Sequence, residues 1–302
     1  TASGQPNQAN AGPDLIGCMN AYPINVQGVV INATGGQWSG GAGTILGSGL
    51  SIQYLPAPAE VLAGGVDLTL VTTGNTTCPP ASDVVHIALS NSFLSAALAT
   101  TDAACNGDLN GAIVFSPSAP GMQYQWNDPL QQTTAAATNL GVGTYTVTVT
   151  DALGCDTTLT ATISQPQPLV VAQLIGTDVS CFGGSNGTIN LSLQGGTPAY
   201  SVVWSSGHTG TNLANLVAGT YSASIADAHG CSAQATHVIQ APAPMVVSVN
   251  APDTVCVNVA HTYNASATGG VGGYIFNWGG FGFNSSPWWT KPDVWDQPRQ
   301  CM

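Results

Sequence analysis

Positive charge is almost missing from this chain. Lys291 and Arg299 are its only Lys or Arg residues among 302. Nucleic-acid binding needs cations that displace the counterions of phosphate, so that class of partner is excluded. Attraction to an anionic lipid surface falls by the same argument. Charged residues of either sign make up 5%, against roughly 25% in an ordinary domain, and only histidine can pair with the acids of residues 1–290. No apolar run reaches 18 residues, so no membrane insertion is expected. No C-x-x-C occurs, which excludes zinc ribbons and thioredoxin-like sites. No D-x-D-x-D-G loop offers an EF-hand calcium site. Sustained 3.6-residue apolar periodicity is also missing; SFLSAALATT (92–101) is the one helix-like stretch and reads as a connector. The start, TASGQPNQ, has neither Met nor a leader, and reads as a mature chain or a piece of a longer one.

What fills the gap is Thr, Ser, Asn, Gln and Gly, residues of strands and turns rather than helix interiors. Apolar residues alternate with them at a period of two. TYTVTVT sets Tyr145, Val147 and Val149 on one face. TINLSL sets Ile189, Leu191 and Leu193 on one face. Trp126 and Trp204 fall on comparable strands and read as core. Short alternating strands with frequent turn signals predict β-sandwiches.

The chain also repeats. GTYTVTVTDALGC (143–155) returns as GTYSASIADAHGC (219–231), and ISQPQPLVV (163–171) as IQAPAPMVV (239–247), both 76 residues on. Asp102-x-x-Cys105, Asp178-x-x-Cys181 and Asp253-x-x-Cys256 mark module starts, with a looser version at Asp14 to Cys18. The expected fold class is all-β: tandem Ig-like or PKD-like sandwich modules forming an extended rod with stiff proline joints. The expected divisions are 1–94, 95–168, 169–244 and 245–302. In the last, Cys256 and Trp278 keep the spacing, but SSPWWTKPDVWDQPRQCM departs from it, so either strands are missing or the tail folds differently.

Eight cysteines are present: Cys18, Cys78, Cys105, Cys155, Cys181, Cys231, Cys256 and Cys301. The equal spacings 105–155 and 181–231 suggest one disulfide within each repeat, with Cys18 to Cys78 as the counterpart in the first module. That implies an oxidising, extracytoplasmic location. Buried thiols at equivalent core positions are the competing reading.

Nothing reads as catalytic, and no cofactor is called for. GGSNG (183–187) matches G-x-S-x-G in letters, but a nucleophile elbow needs a strand before it and a helix after. The flanks of Ser185 read as a turn and a strand. His86, His208, His229, His237 and His261 lack metal-ligand spacing. Asp151 and Asp227 precede tight turns, where a carboxylate caps backbone N–H groups; Ca2+ ligation is the alternative. Trp288, Trp289 and Trp295 cluster in the irregular tail.

The unit C-x-G-x-x-N-G … P-x-Y-x-x-x-W … G-T-Y-x-x-x-x-x-D-A-x-G-C … Q-P resembles the SprB-type repeat of gliding Bacteroidetes adhesins, over 101–166 and 177–242. The first module, with GGQWSGG, AEVLAGGVDLTL and CPPASDVV, is similar to PKD-like modules, as is YNASATGGVGGYIFNW. The resemblance implies type IX export, an extracellular cell-surface place and a structural or adhesive role without catalytic residues. It also implies O-glycosylation, for which Thr157 and Thr254 are candidates. With no Lys in the modules, the sheet edges are poorly protected against pairing. Self-association into a filament or surface fibre is therefore expected, through edges or through a strand donated by residues 1–12. A separate rod that binds glycans or surfaces is the alternative.

Overall fold

A computed structural model describes residues 5–75, 78–250, 263–277 and 293–296. The chain divides into two compact units. One is Thr1–Ala103 with Gly107–Gln165; the other is Ala104–Asn106 with Pro166–Met302.

The first unit holds two separate hydrophobic cores. Strands β1 (Gln8–Asn10), β2 (Leu15–Gly17), β3 (Ile24–Gln27), β4 (Val29–Ile31), β5 (Gly35–Ser39), β6 (Thr44–Leu46), β7 (Ser51–Leu55), β8 (Gly65–Thr73) and β9 (Ser82–Leu89) surround one core. The main sheet runs β2-β9-β8-β5, and β3-β7-β6 forms a second sheet. Leu68, Leu70, Val85 and Ile87 are fully buried in this core. A helix, α1 (Pro58–Ala63), was not expected from periodicity. Its signals are Pro at the first position and Glu60, whose carboxylate accepts the Ala57 N–H at 2.8 Å, as the third residue of a capped helix does. The stretch 92–101 is instead a turn leading into β10 (Ala97–Thr101).

Around the next core, β11 (Gly111–Ser116), β12 (Gln123–Trp126), β13 (Ala136–Leu140), β14 (Gly143–Thr150) and β15 (Asp156–Ile163) complete a sandwich of two antiparallel sheets, β10-β11-β13 and β12-β14-β15. The second unit repeats this with β16 (Val170–Thr177), β17 (Gly187–Gln194), β18 (Ser201–Trp204), β19 (Asn212–Leu216), β20 (Gly219–Ala226) and β21 (Ser232–Ile239), ordered β16-β17-β19 and β18-β20-β21. The alternation explains the burial. Val147, Val149 and Ile189 are fully buried, and Trp126 and Trp204 lie in the cores with their indole N–H donated to the Thr134 and Gly210 carbonyls. Tyr145 and Tyr221 donate their hydroxyls to the Gly141 and Val217 carbonyls, four residues back. This is the tyrosine corner of Ig-like sandwiches.

The outward face of β14 and β15 carries hydroxyls in place of ion pairs. Thr144–Thr162, Thr146–Thr160 and Thr148–Thr158 pair across the strands at 3.1, 3.1 and 3.5 Å, each worth a few tenths of a kcal/mol to about 1. Among the described residues the one ion pair is His86–Asp67, directly opposite on β9 and β8.

A further start follows: β22 (Val246–Asn250) pairs β23 (Asn264–Thr268), and β24 (Tyr274–Asn277) pairs β25 (Asp293–Asp296). The latter pairing takes the place of β18 with β20. The divergent tail therefore supplies a strand where the repeat pattern fails in sequence. The extension offered as a donor strand is paired at home, because Gln8–Asn10 lies antiparallel on β4 of its own chain.

Candidate functional site

The disulfides are the chain's most informative side-chain features, and they do not lie within the repeats. Cys18 bonds Cys155, and Cys105 bonds Cys231, with Cα–Cα distances of 5.4 and 5.5 Å. Cys181 is also disulfide-bonded, to a residue outside the described ones. Cys78 has a free thiol. The expected pairs 18–78, 105–155 and 181–231 are thereby corrected.

Strand length explains the correction. Asp102 accepts the N–H and hydroxyl of Ser164 at 2.8 and 2.5 Å, so the loop that carries Cys105 sits at the far end of β15. Cys155 immediately precedes that strand. Eight extended residues span about 26 Å, whereas a disulfide needs Cα atoms within about 7 Å. The same holds in the next sandwich, where Asp178 accepts the Gln240 N–H at 2.8 Å beyond β21. In the first, β2 runs parallel to β9 with Gly17 beside Leu89, so Cys18 is at the end of β9 and Cys78 lies before its start. Each sandwich thus carries one cysteine at each pole, and a bond can only reach a neighbour.

The pole before the last strand is built by one aspartate. Asp151 Oδ1 accepts the Leu153 and Cys155 N–H groups, both at 2.9 Å, and Oδ2 accepts the Ser90 hydroxyl at 2.5 Å. Asp227 Oδ1 accepts the His229 and Cys231 N–H groups at 2.9 Å, and Oδ2 accepts the Thr197 N–H at 2.7 Å. Both side chains are buried. Burial works against the charge of Asp151, but the Ser90 hydroxyl and the Cys155 and Leu153 amides outweigh it and hold the carboxyl below its ordinary range. For Asp227 the Thr197 amide leads, opposed by burial and helped by the Cys231 and His229 amides. These carboxylates are turn caps.

Around the Cys18–Cys155 bond, the Ser90 N–H donates to the Gly17 carbonyl and Asn20 reaches the Asp156 carbonyl. The connector Ser90–Ala96 places Phe93 and Ala96 against the second core. Ala104, beside Cys105, offers its carbonyl to the His229 ring at 3.3 Å.

Other sequence candidates stay apart. Ser185 lies in the loop before β17, with a strand rather than a helix after it. Thr157 is half-buried and pairs with buried Val149. Thr254, Cys256, Cys301, His261, Trp288 and Trp289 lie outside the described residues. Among the described residues no group of three His, Cys, Asp or Glu is placed to hold a metal, and no helix is long and apolar enough to cross a membrane. Sequence reasoning missed the polarity of the cysteines. The signal was present: one cysteine of each repeat directly precedes an eight-residue strand, and the other follows the aspartate that caps that strand's end.

The family model of the SprB repeat matches residues 175–209, the segment from the end of β16 through β18. The chain therefore carries a SprB repeat within a tandem of Ig-like β-sandwiches. No curated protein matches it. Among solved structures, the chain is similar to the N-terminal eight Ig domains of Down syndrome cell adhesion molecule (12% identity, TM-score 0.22, 85% of this chain), of which it spans 43%. It is also similar to mouse cadherin-23 EC22-24 (10%, TM-score 0.25, 78% and 97% of the two chains). A third is Dpr2 Ig1-Ig2 in complex with DIP-Theta Ig1-Ig3 (10%, TM-score 0.30, 78% and 99%).

Proposed function

We propose that this chain is an extracellular, adhesion-type repeat protein whose task is structural: a subunit or segment of a filament or cell-surface fibre. The observation that carries the reading is the stepped disulfide, which ties each pole to a different sandwich instead of closing one sandwich on itself. Such bonds resist separation of successive modules, which serves a chain that transmits load. They also require an oxidising compartment. Exposed apolar side chains on edge strands, Val170 and Ile175 on β16 and Val203 on β18, suit further pairing between copies. Type IX export and O-glycosylation at Thr157 and Thr254 belong to the same reading.

Negative-stain electron microscopy of the native material, without reductant, tests it. Fibres with a fixed axial repeat are expected. Separate particles would overturn the filament reading in favour of an attachment protein, for which a glycan array is the next measurement.

A further inference from the structure

We infer that Cys78 is the acceptor of an intermolecular disulfide from a second copy of this chain, formed with Cys256 of the partner subunit, so that copies join head to tail. This rests on the structural-subunit reading above and gives that reading a chemistry.

Register carries the argument. Trp38, Trp126 and Trp204 occupy the last position of the pairing between equivalent strands, opposite Leu70, Val147 and Ala223. Eight residues after each opposite residue stands a cysteine: Cys78, Cys155 and Cys231. In the fourth start, Asn277 lies opposite Asp293, and eight residues later in sequence comes Cys301. Cys78 is therefore the first sandwich's equivalent of two cysteines that are bonded here. Its loop joins β8 to β9 as the others join β14 to β15 and β20 to β21. The Thr72–Ala81 pair closes that loop: Thr72 N–H donates to the Ala81 carbonyl at 2.9 Å and Ala81 N–H to the Thr72 hydroxyl at 2.9 Å. This matches the closure between Asp151 and Cys155.

The bonding rule is equally regular. Each closing cysteine takes the D-x-x-C type cysteine of the sandwich before it: Cys155 takes Cys18, and Cys231 takes Cys105. One more step gives Cys301 to Cys181, which is bonded. Two cysteines of opposite kind remain. Cys78 is a closing cysteine with a free, half-exposed thiol, and Cys256 belongs to the opening motif Asp253-Thr-Val-Cys256. A bond between unlike ends of identical copies is heterologous, and without ring closure it propagates as an open filament.

Forming the bond removes two protons and two electrons from two thiols. A disulfide-carrying oxidoreductase, or a small disulfide such as oxidised glutathione, accepts them. The Cys78 thiolate attacks one sulfur of the donor and releases the other as a thiolate. The thiolate of the partner subunit's Cys256 then displaces the donor, which leaves fully reduced as a dithiol or as two thiols.

The test uses the full chain with oxidised glutathione. It is followed by electrophoresis with and without reductant and by mass spectrometry of peptic peptides at acid pH. The expected result is a ladder of multimers that collapses on reduction, with a Cys78–Cys256 linked peptide and a Cys181–Cys301 one. Cys78→Ser and Cys256→Ser should each abolish the ladder, while their mixture should give a covalent dimer and nothing longer. Mapping of the unmutated chain needs no variant and guards against one that fails to fold. A Cys181–Cys256 bond would overturn the inference, as would Cys78 recovered as free thiol from every fraction. A Cys78 bond to a peptide from outside this sequence would overturn the second-copy source. Fibres that persist while Cys78 stays free would overturn the covalent joint but leave the filament reading standing; no fibres and no bond would sink both.

Discussion

Asp151 and Asp227 each satisfy three donors from a single buried carboxylate, in a turn of four or five residues. Replacing Asp151 by Ala leaves two buried N–H groups and a hydroxyl without their acceptor. Orphaned buried polar groups cost about 1–3 kcal/mol each, and water reaching the turn recovers part. The net loss expected is about 3 kcal/mol, read as a lower denaturation midpoint. Asp151→Asn keeps one oxygen acceptor and should cost less. The same carboxylates set the acid limit. Asp102, Asp128, Asp151, Asp227 and Glu60 are all held below their ordinary range in the folded chain. The stability they contribute is complete above the unfolded carboxyl value, about 4, and is lost as pH falls through the lower folded values. Calorimetry should find the melting temperature nearly flat from pH 8 to 5 and falling below about 4. A melting temperature that begins to fall near pH 6 would contradict this assignment.

The length of the last strand is the decisive property at the scale of elements. Eight residues in β9, β15 and β21 separate the poles too far for any bond within a sandwich. The sequence shows the repeat, the alternation, the buried tryptophans and the turn aspartates, because each is a local pattern. The cysteine partners were not legible from spacing. Equal intervals of 50 residues say that two positions are equivalent, not that they are near; nearness depends on which strand end each one caps. The helix α1 was missed because six residues are too few to show a period. The β12–β13 connection (127–135) is longer than β18–β19 (205–211), which offsets the longer β17 and returns both repeats to the same register by β13 and β19. In the chain-entropy model a bond across 137 residues is worth about 5 kcal/mol. Cys18→Ser should therefore lower stability by several kcal/mol. Hydrogen exchange should rise in the connector Ser90–Ala96 before it rises in β14 or β15. Uniform loss of protection would mean that the two cores depend on one bond.

For the whole molecule, the charge that matters is the net charge of −12, with a pI near 4.1. Almost nothing of opposite sign offsets it, so copies repel one another at neutral pH, and the repulsion decays over a Debye length of about 8 Å at physiological ionic strength. Attraction between copies comes from unpaired strand edges and exposed apolar side chains, which salt does not weaken. Adding NaCl at pH 7 should therefore promote lateral association of fibres, the reverse of what an ion-paired assembly would do. Lowering the pH from 7 toward 5 should act in the same direction, since protonation of histidine and the first carboxylates reduces the net charge while the turn carboxylates remain ionised and the sandwiches intact. Light scattering against salt and pH, followed over the same range as the melting temperature, separates the two effects. Scattering that rises well above the pH at which the fold weakens is the expected outcome. If salt instead dissolves the assemblies at pH 7, contacts between copies are electrostatic, and the edge-pairing account of their association is wrong.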